Sequence, residues 1–156
     1  MMMQTCLLLL VLALVSQGNP SQSPTAPWNC VSDSDQQRLS VETGIEKRIK
    51  IRKEISDRFH KTVERVQKMQ QADAVAALLA CWSDHLAASL KDVESYVNRK
   101  KRSGALKNFE IGLRKSIRFM EDSRLKASYQ ESARYDAWLD QAKKVREKFV
   151  DILFQR

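Results

Sequence analysis

Apolar residues recur at steps of three or four along most of the chain, a spacing typical of amphipathic helices. Four segments carry such a stripe: 45–69, 75–97, 106–120 and 135–152. No segment sustains the period-two alternation of a β-strand. Because each stripe covers one face only, each helix must bury that face against others, and short connections make sequential helices antiparallel. The pattern therefore predicts an all-α fold, an up-down helical bundle with four long helices.

The predicted breaks between helices coincide with residues that favour helix ends. Asp73 is expected to cap the second long helix. Thr43-Gly44 and Ser103-Gly104 precede the first and the third. The first long helix also carries acid-to-base pairs four residues apart, which indicate an exposed face and each add about 0.2–0.5 kcal/mol. These pairs are Glu46–Lys50, Glu54–Arg58, Asp57–Lys61 and Glu64–Lys68.

The start of the chain differs from the rest in composition. An apolar run at 6–15 is followed by small and polar residues, which suits a secretory signal peptide cut after Gly18 and is too short to span a bilayer. The expected organisation is a signal peptide at 1–18, an N-terminal arm at 19–43 and a helical bundle at 44–156. We therefore expect a mature protein that is secreted or stored in a vesicle.

The two cysteines that follow the signal peptide, Cys30 and Cys81, predict one disulfide in an oxidising compartment, with two free thiols as the alternative. Each of the first two long helices spans about 40 Å. Cys81 then lies near the end of the first long helix, whereas Cys30 precedes its start. A disulfide requires 30–43 to fold back along the bundle. Ser32 and Asp33 are suited to cap a short helix there, so a short N-terminal helix is predicted.

Positive charge is concentrated in two parts of a chain whose net charge is +8. Residues 44–70 carry +5 and residues 98–118 carry +7. In an up-down bundle the loop after the second long helix lies at the same end as the start of the first. The sequence therefore predicts an anion-binding pole. Its residues are Lys47, Arg48, Lys50, Arg52, Lys53, Arg99, Lys100, Lys101, Arg102 and Lys107.

Such a field attracts lipid headgroups, acidic glycans or nucleic acid. Secretion argues against nucleic acid. The four consecutive basic residues at 99–102 allow two further interpretations, because they form an R-x-K-R convertase site and also suit a solvated turn. The meeting of two basic segments at one end favours the anion-binding pole.

The sequence contains no catalytic or metal-binding motif. His60 and His85 lie on different predicted helices, and neither belongs to an HExxH motif. There is no CxxC, no glycine-rich phosphate loop and no nucleophile motif. We therefore expect that the protein is not an enzyme and uses neither a cofactor nor a metal.

The run "YVNRKK", with the continuation "NF" and "LRKSI", resembles the central region of the abalone sperm lysin family. A looser likeness covers "IEKRIKIRKEISDRF", so that the resemblance extends over about 45–120. The matching positions are Tyr96, Val97, Asn98, Arg99, Lys100, Asn108, Phe109 and Lys115, with Glu46, Lys50 and Ile51 in the looser part.

The resemblance implies a secreted, basic, all-helical protein stored in the sperm acrosome. Members of the family open the egg vitelline envelope without enzymatic cleavage or, in a fusagenic paralogue, act on membranes. The implied partner is an egg vitelline-envelope glycoprotein or an anionic membrane surface. High charge with amphipathic helices favours the fusagenic branch. The chain has few aromatic residues, unlike lysin's aromatic-rich dimer patch, so the resemblance allows a homodimer without requiring one. Positions that would continue lysin's basic tracks are Arg99, Lys100, Lys101, Arg102 and Lys107.

Two other classes of secreted helical protein fit the same pattern. One is a four-helix cytokine-like signalling protein, which would bind one saturable receptor with little salt dependence. The other is a helical lipid carrier, which would take up lipid stoichiometrically without fusing vesicles.

Overall fold

A computed structural model describes residues 30–98 and 102–154, and within them the fold consists of five α-helices with no strand. The predicted all-α bundle of four long helices and a short N-terminal helix is confirmed. The predicted signal peptide at 1–18 and the arm up to residue 29 lie outside the described residues. The helices are α1 Asp33–Val41, α2 Ile45–Lys68, α3 Ala72–Tyr96, α4 Gly104–Lys126 and α5 Tyr129–Phe154.

The long helices alternate in direction, but neighbours in sequence are not always neighbours in space. Extensive packing joins α2 to α3, α2 to α4, α3 to α5 and α4 to α5. Helices α2 and α4 are therefore parallel neighbours, with Ala105 beside Glu46 near their starts and Ser123 beside Gln67 near their ends. The connection between α3 and α4 consequently joins helices at diagonal corners of the bundle.

The core is built from the predicted stripes and centres on aromatic side chains. Trp82 and Trp138 pack with ring centroids 4.5 Å apart, and Phe109 and Phe149 are 5.1 Å apart. Trp82 Nε1 donates a hydrogen bond to Ser56 Oγ at 2.8 Å, which satisfies the indole within the apolar interior. The apolar faces of all four long helices are therefore buried in the core.

The helix starts follow the predicted signals with one correction. Ser103 Oγ accepts a hydrogen bond from the Leu106 N–H at 3.0 Å and caps α4. The expected cap at Asp73 is wrong, because α3 already begins at Ala72. Gln70 adopts a left-handed φ of 55°, which reverses the chain within a short turn. Asp73 instead lies in the first turn of α3, where its charge favours the positive end of the helix dipole.

Residues 30–43 fold back along the bundle as predicted. A disulfide joins Cys30 to Cys81, with their Cα atoms 5.1 Å apart. Helix α1 lies on α2, where Arg38 Nη2 donates to Glu54 Oε2 at 2.9 Å. Leu39 of α1 is buried in the hydrophobic core. The disulfide and these contacts hold α1 against the side of the bundle.

Candidate anion-binding surface

The starts of α2 and α4 lie side by side at one end of the bundle. Glu46 Oε2 accepts a hydrogen bond from the Ala105 N–H at 3.1 Å, so the two predicted basic segments meet there. Three cations close to these helix starts are exposed and form no ion pair with a described residue. They are termed the basic pole: Lys47, Arg102 and Lys107. Lys50, about one turn further along α2, lines a groove between α2 and α4.

Three residues assigned to this end from sequence, Arg99, Lys100 and Lys101, lie outside the described ranges. The described chain stops at Asn98 and resumes at Arg102, just after α3 and just before α4. The basic pole is therefore defined by the described residues alone.

Arg48 and Arg52 do not belong to the exposed cations, which corrects the sequence prediction. Arg48 Nη2 lies 3.1 Å and Arg52 Nε 2.9 Å from Asp92 Oδ2 on α3. Their side chains are only 19% and 14% exposed. Arg48 also donates to the carbonyl oxygens of Leu39 and Glu42. These two arginines therefore hold α1, α2 and α3 together, and they share the one carboxylate of Asp92, which offsets one of their two positive charges.

Exposed aromatic residues accompany the cations at this end, a feature that the sequence analysis missed. Tyr96, near the end of α3, is 65% exposed, and Phe154, at the end of α5, is 59% exposed. Both helices finish at the end where α2 and α4 begin. Only Phe154 carries a signal in the sequence, because it follows the buried Ile152 by two residues, whereas Tyr96 keeps a step of three from Val93. Aromatic rings beside cations are typical of surfaces that contact a membrane interface.

A groove of about 670 Å³ runs between α2 and α4, below the basic pole. The floor of the groove is formed by small residues, because α4 presents Ala105, Gly112 and Ser116 to α2. A Cβ added at Gly112 would lie 3.5 Å from Asp57 Oδ1 and 3.6 Å from Lys53 Cε, so these two α2 side chains lie opposite the glycine. It is termed the lysine groove after four lining residues: Lys50, Lys53, Lys61 and Lys115.

The carboxylates that line the lysine groove already have cationic partners. Lys53 Nζ lies 2.5 Å from Asp57 Oδ2, which makes Lys53 less available to a ligand than the sequence suggested. Glu54 is paired with Arg38. Among the described residues, no carboxylate lies within ion-pair distance of Lys50, Lys61 or Lys115. The groove therefore retains uncompensated positive charge.

His60 lies in the wall of the lysine groove and is half-buried. Its Nδ1 is 2.8 Å from Ser116 Oγ, and its ring packs on Phe119 with centroids 4.7 Å apart. Burial lowers the pKa of His60 below 6.5, and the charges of Glu64 and Asp57 oppose that shift. The imidazole is consequently neutral at pH 7 and supplies hydrogen-bonding capacity rather than charge.

The described part of the molecule defines a basic helical-bundle protein whose exposed cations form a pole and an adjoining groove. Between residues 30 and 98 and between 102 and 154, no three His, Cys, Asp or Glu side chains are grouped as metal ligands. In the same ranges, no helix combines the length and apolar character needed to cross a membrane. No protein-family model, no curated protein and no solved structure matches the chain.

Proposed function

We propose that this chain is a secreted, non-enzymatic protein of the sperm acrosome that binds the egg surface through its basic pole during fertilisation. The observation that carries the proposal is the cluster of exposed, unpaired cations at the starts of α2 and α4. The acrosomal setting rests on the sequence resemblance to the sperm lysin family. That resemblance spans both helices that form the pole.

Of the two activities within that family, action on membranes has the better geometric support. Cations near an anionic bilayer contribute about 1 kcal/mol each, and interfacial aromatic rings add to this. The basic pole places Lys47, Arg102 and Lys107 at the same end as Tyr96 and Phe154. Fusion would further require the bundle to expose its apolar stripes, which are buried in the closed form. Dissolution of the vitelline envelope is the second activity, and its partner would be a glycoprotein of the envelope.

Vesicle binding tests the proposal with a matched pair of variants. The mature chain should bind phosphatidylcholine vesicles that contain phosphatidylserine, bind pure phosphatidylcholine weakly, and lose affinity as salt rises. Arg102→Gln/Lys107→Gln should weaken binding roughly tenfold or more. The control Arg65→Gln/Lys126→Gln removes the same charges, both exposed and unpaired, at the opposite end of the bundle. Equal losses in both variants would refute a localised pole.

Further measurements separate the proposal from its rivals. Lipid mixing between bound vesicles supports fusion, whereas dissolution of isolated vitelline envelopes without lipid mixing supports the envelope activity. A saturable receptor with nanomolar affinity and little salt dependence would instead favour the cytokine-like alternative. Immunolocalisation tests the setting: signal confined to sperm acrosomes supports it, and signal in other tissues without testis rejects it.

A further inference from the structure

We infer that the lysine groove is a binding site for a linear acidic glycan that carries sulfate groups at intervals along its length. This inference goes beyond the proposed function, because the groove is a second surface with a different class of ligand. The basic pole is an end of the bundle, whereas the groove runs along its side between two parallel helices.

The first support is the charge balance of the groove. Its two carboxylates, Asp57 and Glu54, are already satisfied by Lys53 and by Arg38 from α1. An incoming anion therefore meets ammonium groups without displacing an existing ion pair. The ammonium groups that remain for a ligand are those of Lys50, Lys61 and Lys115.

The second support is the spacing of the cations along the parallel helices. Lys50 lies four residues, about one turn, beyond Glu46, whose contact with Ala105 marks the start of the groove. The contact of His60 with Ser116 places Lys61 at the level of Lys115. The two levels, Lys50 and the pair of Lys61 with Lys115, are separated by eleven residues of α2, or about 16 Å. Two cationic levels along one straight groove fit anions repeated along an extended polymer.

The third support distinguishes a glycan from a lipid surface. The exposed aromatic residues Tyr96 and Phe154 lie at the ends of their helices, not along the groove. The groove instead offers polar groups suited to hydroxyls: the exposed amide of Asn108 and the half-buried ring of His60, whose Nδ1 is already engaged by Ser116. Its small floor residues leave room for a chain to lie between the lysines. A flat bilayer would meet the lysine ends but not this floor.

Heparin affinity tests the inference on the mature chain with its disulfide intact. Heparin serves as the probe for sulfated glycans, and dextran as the uncharged comparison. Lys50→Gln/Lys61→Gln/Lys115→Gln should lower heparin affinity roughly tenfold or more, and should reduce its dependence on salt. The control triple is Lys126→Gln/Lys144→Gln/Lys148→Gln, which removes three exposed lysines without ion pairs elsewhere. It should change the affinity less than about threefold.

The outcomes separate this inference from the proposed function. All substitutions lie on exposed positions, and circular dichroism verifies that each variant is folded. The groove triple should keep its binding to phosphatidylserine vesicles, and a heparin disaccharide, too short for both cationic levels, should bind much more weakly than the polymer. Unchanged heparin affinity in the groove triple overturns the inference. Equal losses in both triples, or equal loss of heparin and vesicle binding in the groove triple, would overturn it as well.

Discussion

The carboxylate of Glu46 on α2 accepts a hydrogen bond from the backbone N–H of Ala105 in the first turn of α4. The first N–H groups of a helix have no partner within the helix, and a carboxylate there also interacts favourably with the helix dipole. One side chain thus caps α4 from a neighbouring helix. The same contact brings the two most basic segments of the chain to one end of the bundle.

Removal of this cap is expected to destabilise the bundle. Glu46→Ala should lower the free energy of unfolding by about 1 kcal/mol, because the Ala105 N–H loses a charged acceptor. Urea denaturation measures the change. Glu94→Ala is the matched control, since Glu94 is an exposed acid near the same end with no partner among the described residues. If both variants are equally stable, the inter-helix cap contributes nothing.

The helical stripes could be read from the sequence because they are a local property. Each stripe residue is repeated every three or four positions, and Val63, Trp82, Leu113 and Phe149 are almost completely buried as that spacing predicts. The spacing does not say which helices become neighbours. The diagonal relation of α3 and α4, and with it the lysine groove between α2 and α4, therefore had no local signal.

The charged pairs also show that contacts between helices cannot be predicted from the pattern of a single helix. Of the four pairs predicted within α2, only Glu64–Lys68 forms, at 2.9 Å. Glu54 binds Arg38 of α1, and Glu46 binds the start of α4. Partners from other helices compete with partners on the same helix, and a single-helix pattern cannot represent them. For this reason the sequence also overestimated the basic pole, by including the two enclosed arginines that share Asp92 as their partner.

Loss of the disulfide is expected to weaken the fold and to release the arm. The bond joins positions 51 residues apart, and a loop of this length predicts a loss of roughly 2–4 kcal/mol for Cys30→Ala/Cys81→Ala. Urea denaturation gives the size of the loss, and limited proteolysis should show new cuts between 30 and 44. Reduction of the unmodified protein should reproduce both effects and leave the double variant unaffected. A reductant that destabilises both proteins equally would show that it acts elsewhere.

Stability should depend on pH through a buried histidine. Burial lowers the pKa of His85 from 6.5 to about 4, opposed by the hydrogen bond between its Nε2 and the Arg52 carbonyl. Below pH 6.5 the unfolded chain binds a proton at this position that the folded chain does not. The stability present above pH 6.5 is therefore lost as pH falls towards 4, by roughly 3 kcal/mol in total.

The pH dependence is checked by chemical denaturation of the His85→Gln variant at pH 7.5 and 4.5. Glutamine cannot titrate but keeps a donor for the Arg52 carbonyl. The variant should lose most of the change between the two pH values. His60→Gln should retain most of it, because His60 is only half-buried. Asp35, whose pKa is lowered below 3.8 against the opposing effect of burial, changes stability only at more acidic pH. An unchanged pH profile in His85→Gln would show that another group is responsible.

The ion pairs of Asp92 should matter far more to stability than a typical surface pair. Its side chain is 13% exposed and faces two arginines that are nearly as enclosed. Asp92→Asn leaves both guanidinium groups without their counter-charge, and we expect a loss of roughly 2–4 kcal/mol. Asp136→Asn is the comparison, because its pair with Arg124 is nearly half exposed and should cost less than about 1 kcal/mol.

Asp92→Asn also distinguishes the arginines that hold the helices together, Arg48 and Arg52, from the exposed cations that bind vesicles. Asp92→Asn adds one positive charge near the basic pole and removes none of its exposed cations. Measured well below its unfolding midpoint, it should therefore bind phosphatidylserine vesicles at least as tightly as the unmodified protein. If stability were unchanged, Arg48 and Arg52 would not depend on Asp92 and would belong with the exposed cations. If stability fell and vesicle binding fell with it in the folded protein, the pole would require the exact placement of α1 and α3, not only its charge.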